Sequence, residues 1–414
     1  MKHLLIVFLL VTGGFLSASA QRHELLSEQV ASLQVVANDD WTSLPIISLG
    51  SDEVLHISFD ELSHNYHRFC YKVEHCEADW KVSEGLFESD YIQGFASGNT
   101  IDDIQESVNT NQLYTHYALR LPNEKCRLKM SGNYKLTVYD ENDNDKPVLV
   151  VCFMVVEPKM AVGMGVTTDT DIGVKTSFQQ VDLRLDYGDV RVTEPTSQIK
   201  TVVMQNGRWD NAVSNAKPQI VSANGLAWTH NRDLIFPAGN EYRKFEMLDV
   251  THTNMGMETV EWDGDKYHAL LWTDEPRPNY VFDEDADGAF LIRNSDNEEV
   301  DNTCEYLMVH FRLKSQQQPW EIYLNGAWTQ DRFLPKYRMA WNEEKQLYEA
   351  SVWLKQGYYN YQYLALRDDG SAVPVQSEGN FFQAENTYQA LVYYRAPGGR
   401  TDWLMGYAQV RLDK

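Results

Sequence analysis

The chain has 414 residues and a formal net charge of −24, from 36 Lys and Arg against 60 Asp and Glu. At ~150 residues per domain, that length suits roughly two to four domains. The acidic balance argues against nucleic acid, whose binding needs a basic surface to displace counterions, and against anionic membrane for the same reason. Two readings of the charge stay open: solubility in a crowded space, or complementarity to a basic partner.

Residues 1–20 are expected to be an export signal. Lys2 and His3 give a basic start, "LLIVFLLVTGGFL" is an apolar stretch too short to span a membrane, and Ala18 and Ala20 form the small-residue pattern of a cleavage site. Cleavage there leaves Gln21 at the mature N-terminus. No cysteine follows the apolar run as a lipoprotein anchor requires, and no later segment approaches a spanning length. A soluble exported protein is expected. The five cysteines are too few and too odd in number for a disulfide framework. At least one thiol stays free or pairs between chains, and the pairing of the others is open.

Helical periodicity is nearly absent, and short alternating runs recur instead. "VLHISF" (54–59), "YTHYALRL" (114–121), "GNYKLTVYD" (132–140) and "VLVVCFMVVEP" (148–158) are strand candidates. So are "KFEML" (244–248), "EYLMVHF" (305–311), "WEIYL" (320–324), "LYEASVWL" (347–354), "YYNYQYLAL" (358–366) and "QALVYYR" (389–395). Turn signals such as "DENDND" and "DDGS" separate them. The expected fold is all-β, with three tandem β-sandwiches. Glu157-Pro158 and the Gln-rich "KSQQQPWE" mark the boundaries. The expected domains are 21–158, 159–316 and 317–414.

"HNYHRFCYKVEHCEADW", from His64 to Trp80, has the composition of a metal site. Its pattern is that of a strand, with Phe69, Tyr71 and Val73 alternating with Cys70, Lys72 and Glu74. His67 and His75 then oppose Cys70 and Cys76. The two cysteines lie roughly 20 Å apart at ~3.3 Å per residue, too far for a shared zinc ion or a disulfide. A metal there needs ligands from a neighbouring strand. "FDEDADGAF" sets Asp283, Asp285 and Asp287 at alternate positions, like the opening of a calcium loop, but Asn294 stands where the closing Glu belongs. Its flanks read as strands, so a solvated hairpin turn competes with a weak calcium site.

No nucleophile elbow, Walker loop, zinc-protease helix or dinucleotide fingerprint is present. Sixty acids single out no glycosidase pair. The expectation is a non-enzymatic protein with no catalytic, cofactor or metal residues. Tyr359, Tyr361 and Tyr363 share one face of a strand, and Asn360 and Gln362 the other. Either the tyrosines form a core with the amides in water, or they make an aromatic recognition platform.

"YKVEHCEADW" with "GNYKLTVYDEND" resembles immunoglobulin-like sensor domains. "WEIYLNGAW…LYEASVWLKQGYYNYQYLALRDDG" resembles the early-set, glycogen-binding type of sandwich. The second resemblance implies a glucan platform at Trp328, but Ser371 stands where a second aromatic is expected. The order of "YKVEHCEADW", "YTHYALRLPN", "FPAGNEYRKFE", "DGAFLIRN" and "SEGNFFQAENTYQALVYYRAPGGRTDWLMGY" resembles the plug proteins of the type IX secretion system, from about residue 30 to the C-terminus. That resemblance implies a periplasmic plug that closes the periplasmic mouth of a large outer-membrane barrel translocon. Its partner would be that barrel, with no direct membrane insertion, and it would be a monomer within a hetero-complex. It transfers no contact residues. The alternative is a periplasmic carbohydrate-binding protein serving glycan uptake, resting on Trp328.

Overall fold

The apolar run from Val148 to Val156 explains much of the architecture. A computed structural model describes residues 22–412, so the expected leader lies outside the described residues. The run belongs to the strand Lys146–Val156, which is buried at every position from Val151 onward. A strand buried on both faces must serve two cores, since successive side chains point to opposite sides. Leu149, Val151, Phe153 and Val155 enter one core. Cys152, Met154 and Val156 enter another.

The first core lies between two sheets. One runs in the order Glu24–Leu25, Lys146–Val156, Gly132–Asp140, Phe69–Cys76 and Asn99–Thr100, with Ile46–Ser48 added in parallel. The other runs Val30–Ala37, Leu55–Glu61, Thr115–Leu121 and Asp103–Glu106. Leu55, Ile57 and Phe59 alternate inward from one side, and Tyr71, Val73, Tyr134, Leu136 and Val138 fill the other. Each such burial contributes roughly 1.5–3 kcal/mol.

A second pair of sheets combines distant parts of the chain. Ala161–Thr167, Phe178–Asp186, Gly225–Trp228 and Ile220–Val221 form one layer, with Ile235–Pro237 beside Phe178–Asp186. Val213–Ser214, Ile199–Gln205, Thr387–Tyr394 and Trp403–Arg411 form the facing layer. Thr387–Tyr394 is buried at every position. Tyr388, Ala390 and Val392 fill this core. Leu391 and Tyr393 point the other way, against Cys152 and Met154 of the first unit.

The third core occupies the chain between. Gly357–Leu366 pairs with Arg243–Met247, Phe290–Ile292, Glu321–Asn325 and Ala372–Pro374. The opposing sheet runs Met257–Trp262, Tyr267–Leu271, Tyr306–Leu313, Leu347–Lys355 and Ala340–Asn342. The chain is thus all-β, with antiparallel pairing dominant. The strand grouping differs from the tandem order expected at 316/317. Tyr306–Leu313 and Glu321–Asn325, on either side of that point, line one core. "KSQQQPWE" is a connection within the unit, with Ser315 buried and the Gln318 N–H donating to Tyr348 Oη at 2.7 Å. Gln and Pro interrupt a strand at a loop inside a unit as readily as between units. The last two strands return to the second unit.

Candidate functional site

The residues singled out by sequence are mostly structural. Phe69–Cys76 is a strand as expected. His67 Nδ1 lies 2.7 Å from Asp140 Oδ2. His75 is buried, with Nδ1 2.9 Å from Ser83 Oγ and Nε2 3.2 Å from the Ser131 carbonyl. Burial lowers its pKa despite that carbonyl. All five cysteines are free and buried. Among the described residues, no three His, Cys, Asp or Glu side chains are arranged to hold a metal ion.

The acidic run is not a solvated hairpin. Residues 279–282 form no strand, and Asp285 and Asp287 turn inward. Asp285 accepts from the Tyr242 N–H and, at 2.9 Å, from the Asp287 N–H. Asp287 accepts from Thr387 Oγ1 at 2.7 Å, tying the third unit to the second. Asp283 is exposed and pairs with Lys244 at 2.6 Å. The three carboxylates therefore do not converge as calcium ligands.

Trp328 cannot serve as a sugar platform. Its ring is buried, stacked on Phe311 at 5.9 Å, with its N–H donating to the Asn360 carbonyl at 2.8 Å. Ser371 caps its own turn through Asp369. Tyr359, Tyr361 and Tyr363 are core residues. Asn360 on the opposite face is buried as well, contrary to the amide-to-water reading. The 285–289 segment covers it: the Ala286 N–H donates to Asn360 Oδ1 at 2.5 Å, and the Asn360 N–H to the Ala289 carbonyl at 3.1 Å.

Where the units meet, buried polar groups join them. Asp60 of the first unit accepts from Lys355 Nζ and Tyr306 Oη of the third, each at 2.7 Å. Its other oxygen lies 2.7 Å from His116 Nδ1. Burial alone would raise the Asp60 pKa; Lys355 and His116 outweigh it and hold the carboxyl below its usual value. Lys355 Nζ also lies 4.0 Å from the Tyr114 ring centre. The Glu305 carboxylate accepts from the Asn111 and Gln112 N–H groups. Between the first and second units, Asp402 accepts from Lys200 and Arg395 at 2.8 Å and from the Ala78 N–H at 3.1 Å. Trp80, at φ 64°, packs edge-on to Trp209.

Sequence reading missed these joints. The available signal was a charge at the end of an alternating strand, as with Asp60 in "LHISFDE" and Lys355 closing "LYEASVWLK". At the centre, residues from all three units line a cleft of about 810 Å³, including Val35, Trp41, Trp209, Asp287, Asp331 and Tyr358. The chemistry on offer is recognition by charge and aromatic surface.

Fold and joints together define an all-β protein of several antiparallel sheets whose units meet through buried polar groups. Residues 30–157 match the family described as "Type 9 secretion system plug protein 1st domain", so the first unit belongs to that family. Its role is in type IX secretion. The chain is similar in structure to a hypothetical protein from Parabacteroides merdae ATCC 43184, with TM-score 0.91, 39% identity, and coverage of 94% of this chain and 99% of that one. A collagen adhesin from S. aureus, at TM-score 0.10 and 8% identity over 92% of this chain and 91% of that one, shares no fold argument with it. No curated protein matches the chain. Among the described residues, no helix is long and apolar enough to cross a membrane.

Proposed function

We propose that this protein is a non-enzymatic periplasmic plug, which closes the periplasmic mouth of the outer-membrane barrel translocon of its secretion system. The three cores serve as its domains. The observation that carries the reading is the burial of charge between units, with Asp60 and Lys355 each about 1% exposed at the side chain. A stopper must resist deformation, and a body whose units are cross-locked loses little conformational entropy on docking. Release is then a competition for the docked surface, a shift of population rather than catalysis. Export through the residue 1–20 signal delivers the protein to the periplasm, and the barrel partner holds it at the outer membrane. It docks as a monomer within the hetero-complex.

Affinity purification of the tagged protein from its native envelope should recover the large barrel. Deletion should raise outer-membrane permeability. Recovery of free protein alone, with permeability unchanged on deletion, rejects the reading.

A further inference from the structure

Resting on the reading of this chain as a docking subunit, we propose that its central cleft receives a basic side chain, arginine or lysine, carried on an extended segment of its protein partner. Among the described residues, three aspartates lining the cleft, Asp285, Asp287 and Asp331, accept hydrogen bonds from neutral donors only. Asp285 accepts from the Tyr242 and Asp287 N–H groups, Asp287 from Thr387 Oγ1, and Asp331 from Asn325 Nδ2 at 2.9 Å. Asp287 Oδ1 is buried and accepts from no group among the described residues.

Among the described residues, the cations of the cleft form their ion pairs with other acids or lie over a ring, and the buried Nε atoms of Arg22 and Arg293 have no hydrogen-bond partner. Arg208 pairs with Asp210 at 2.6 Å, Lys244 with Asp283 at 2.6 Å and Arg293 with Glu246 at 3.5 Å. Arg411 pairs with Glu385 at 3.4 Å, and Arg22 lies over the Phe333 ring at 5.5 Å. The aspartates' titration agrees with an incomplete counter-charge, since burial outweighs the nearby arginines. Burial, with Asp287 and Glu241 nearby, lifts Asp285 to about 7. Burial also raises Asp287 against the pull of Arg411, and burial together with Asp210 raises Asp331 against the pull of Arg208 and Arg22. A cation entering the cleft would let them ionise.

The walls suit a guanidinium or ammonium group on a peptide. Trp41 and Tyr358 meet edge-to-face at 5.8 Å, and Trp209 adds a third ring. Aromatic faces attract desolvated cations, and arginine stacks on them as well as donating in a fork to carboxylates. A volume of about 810 Å³ exceeds a bare metal ion and accommodates a side chain with its flanking backbone. The tie between Asp331 and the far wall is also preformed: Gln362 Nε2 donates to Tyr242 Oη at 2.8 Å and to Asn325 Oδ1 at 2.9 Å.

The test is calorimetric titration of the full mature protein with acetyl-Gly-Arg-Gly-amide at about pH 6.5, in buffers of differing ionisation enthalpy. Saturable binding with net proton release is expected, and acetyl-Gly-Gly-Gly-amide should give no heat. Asp287→Asn and, separately, Trp41→Ala should each weaken binding about 10-fold, with thermal melts confirming that both variants fold. The wild-type proton release stands independently of either variant. Absence of binding, binding without proton release, or equal affinity in both variants overturns the proposal. Spermidine binding as tightly as the arginine peptide overturns the assignment to a protein side chain. Peptide failure with the barrel still recovered by affinity purification sinks the cleft proposal alone. Peptide binding without barrel recovery sinks the docking reading instead.

Discussion

Lys355 Nζ lies 2.7 Å from Asp60 Oδ2 across 295 residues of sequence, and both side chains are sealed from solvent. An ion in such a place is costly without its partner. Lys355→Met is therefore expected to destabilise the protein by about 3–5 kcal/mol, because it strands the Asp60 charge. The paired replacement Asp60→Leu with Lys355→Met should cost much less than Lys355→Met alone. Urea unfolding of the four species gives the coupling, and simple additivity would refute it. The pH sign also follows. The Asp60 pKa is depressed in the folded state, so its contribution is present above the unfolded value of about 3.9 and is lost as pH falls through the folded value.

Asp285 has the opposite sign. Its folded pKa, about 7, lies above the unfolded value near 3.9, chiefly through burial. The folded state therefore binds the proton more tightly, and a destabilising contribution grows as pH rises from about 4 to about 7. Asp285→Asn mimics the protonated form. The variant should gain thermal stability relative to wild type at pH values above about 7 and lose that gain near pH 4. Parallel melting curves across that interval would show that Asp285 is ionised in the folded protein.

Period-two alternation made the strands readable, because a half-buried strand writes its two faces into alternate residues. Phe69, Tyr71 and Val73 were legible for that reason, and the argument against a local metal site followed from the same spacing. Grouping of strands was not legible. Thr387–Tyr394 joins the second unit by pairing with Ile199–Gln205, a contact that leaves no local signature. Asn360 was misplaced for a related reason. Alternation assigns a face, but it cannot tell that another segment, here residues 285–289, lies over the face expected to meet water. The joints and the cleft are products of such long-range contacts.

Trp328 separates the plug reading from its carbohydrate-binding rival by stability rather than by binding alone. The ring packs edge-on to Tyr337 at 5.7 Å as well as stacking on Phe311. Trp328→Ala should cost about 3–5 kcal/mol, as expected for a large-to-small change in a filled core. A lowered melting temperature without any glucan retention by the wild type in affinity electrophoresis is the expected pair of results. An Ala variant as stable as wild type would place the ring outside the core.

The cysteines provide a probe of global opening. Thiolate is the reactive form, and burial raises the thiols of Cys76, Cys152 and Cys304 to about 12 and that of Cys126 to about 11. Cys70 is raised as well, by burial and then by Glu141. Native protein should resist iodoacetamide near neutral pH, while protein in denaturant should take up five labels, one per free cysteine. Cys304 adds a local readout, since its carbonyl accepts from Tyr114 Oη at 2.9 Å across the first and third units. Lys355→Met should accelerate labelling at Cys304 before it does so at Cys152, which lies at the other joint. Mass spectrometry of partially labelled protein distinguishes the sites, and equal acceleration at both would show that the units open as one.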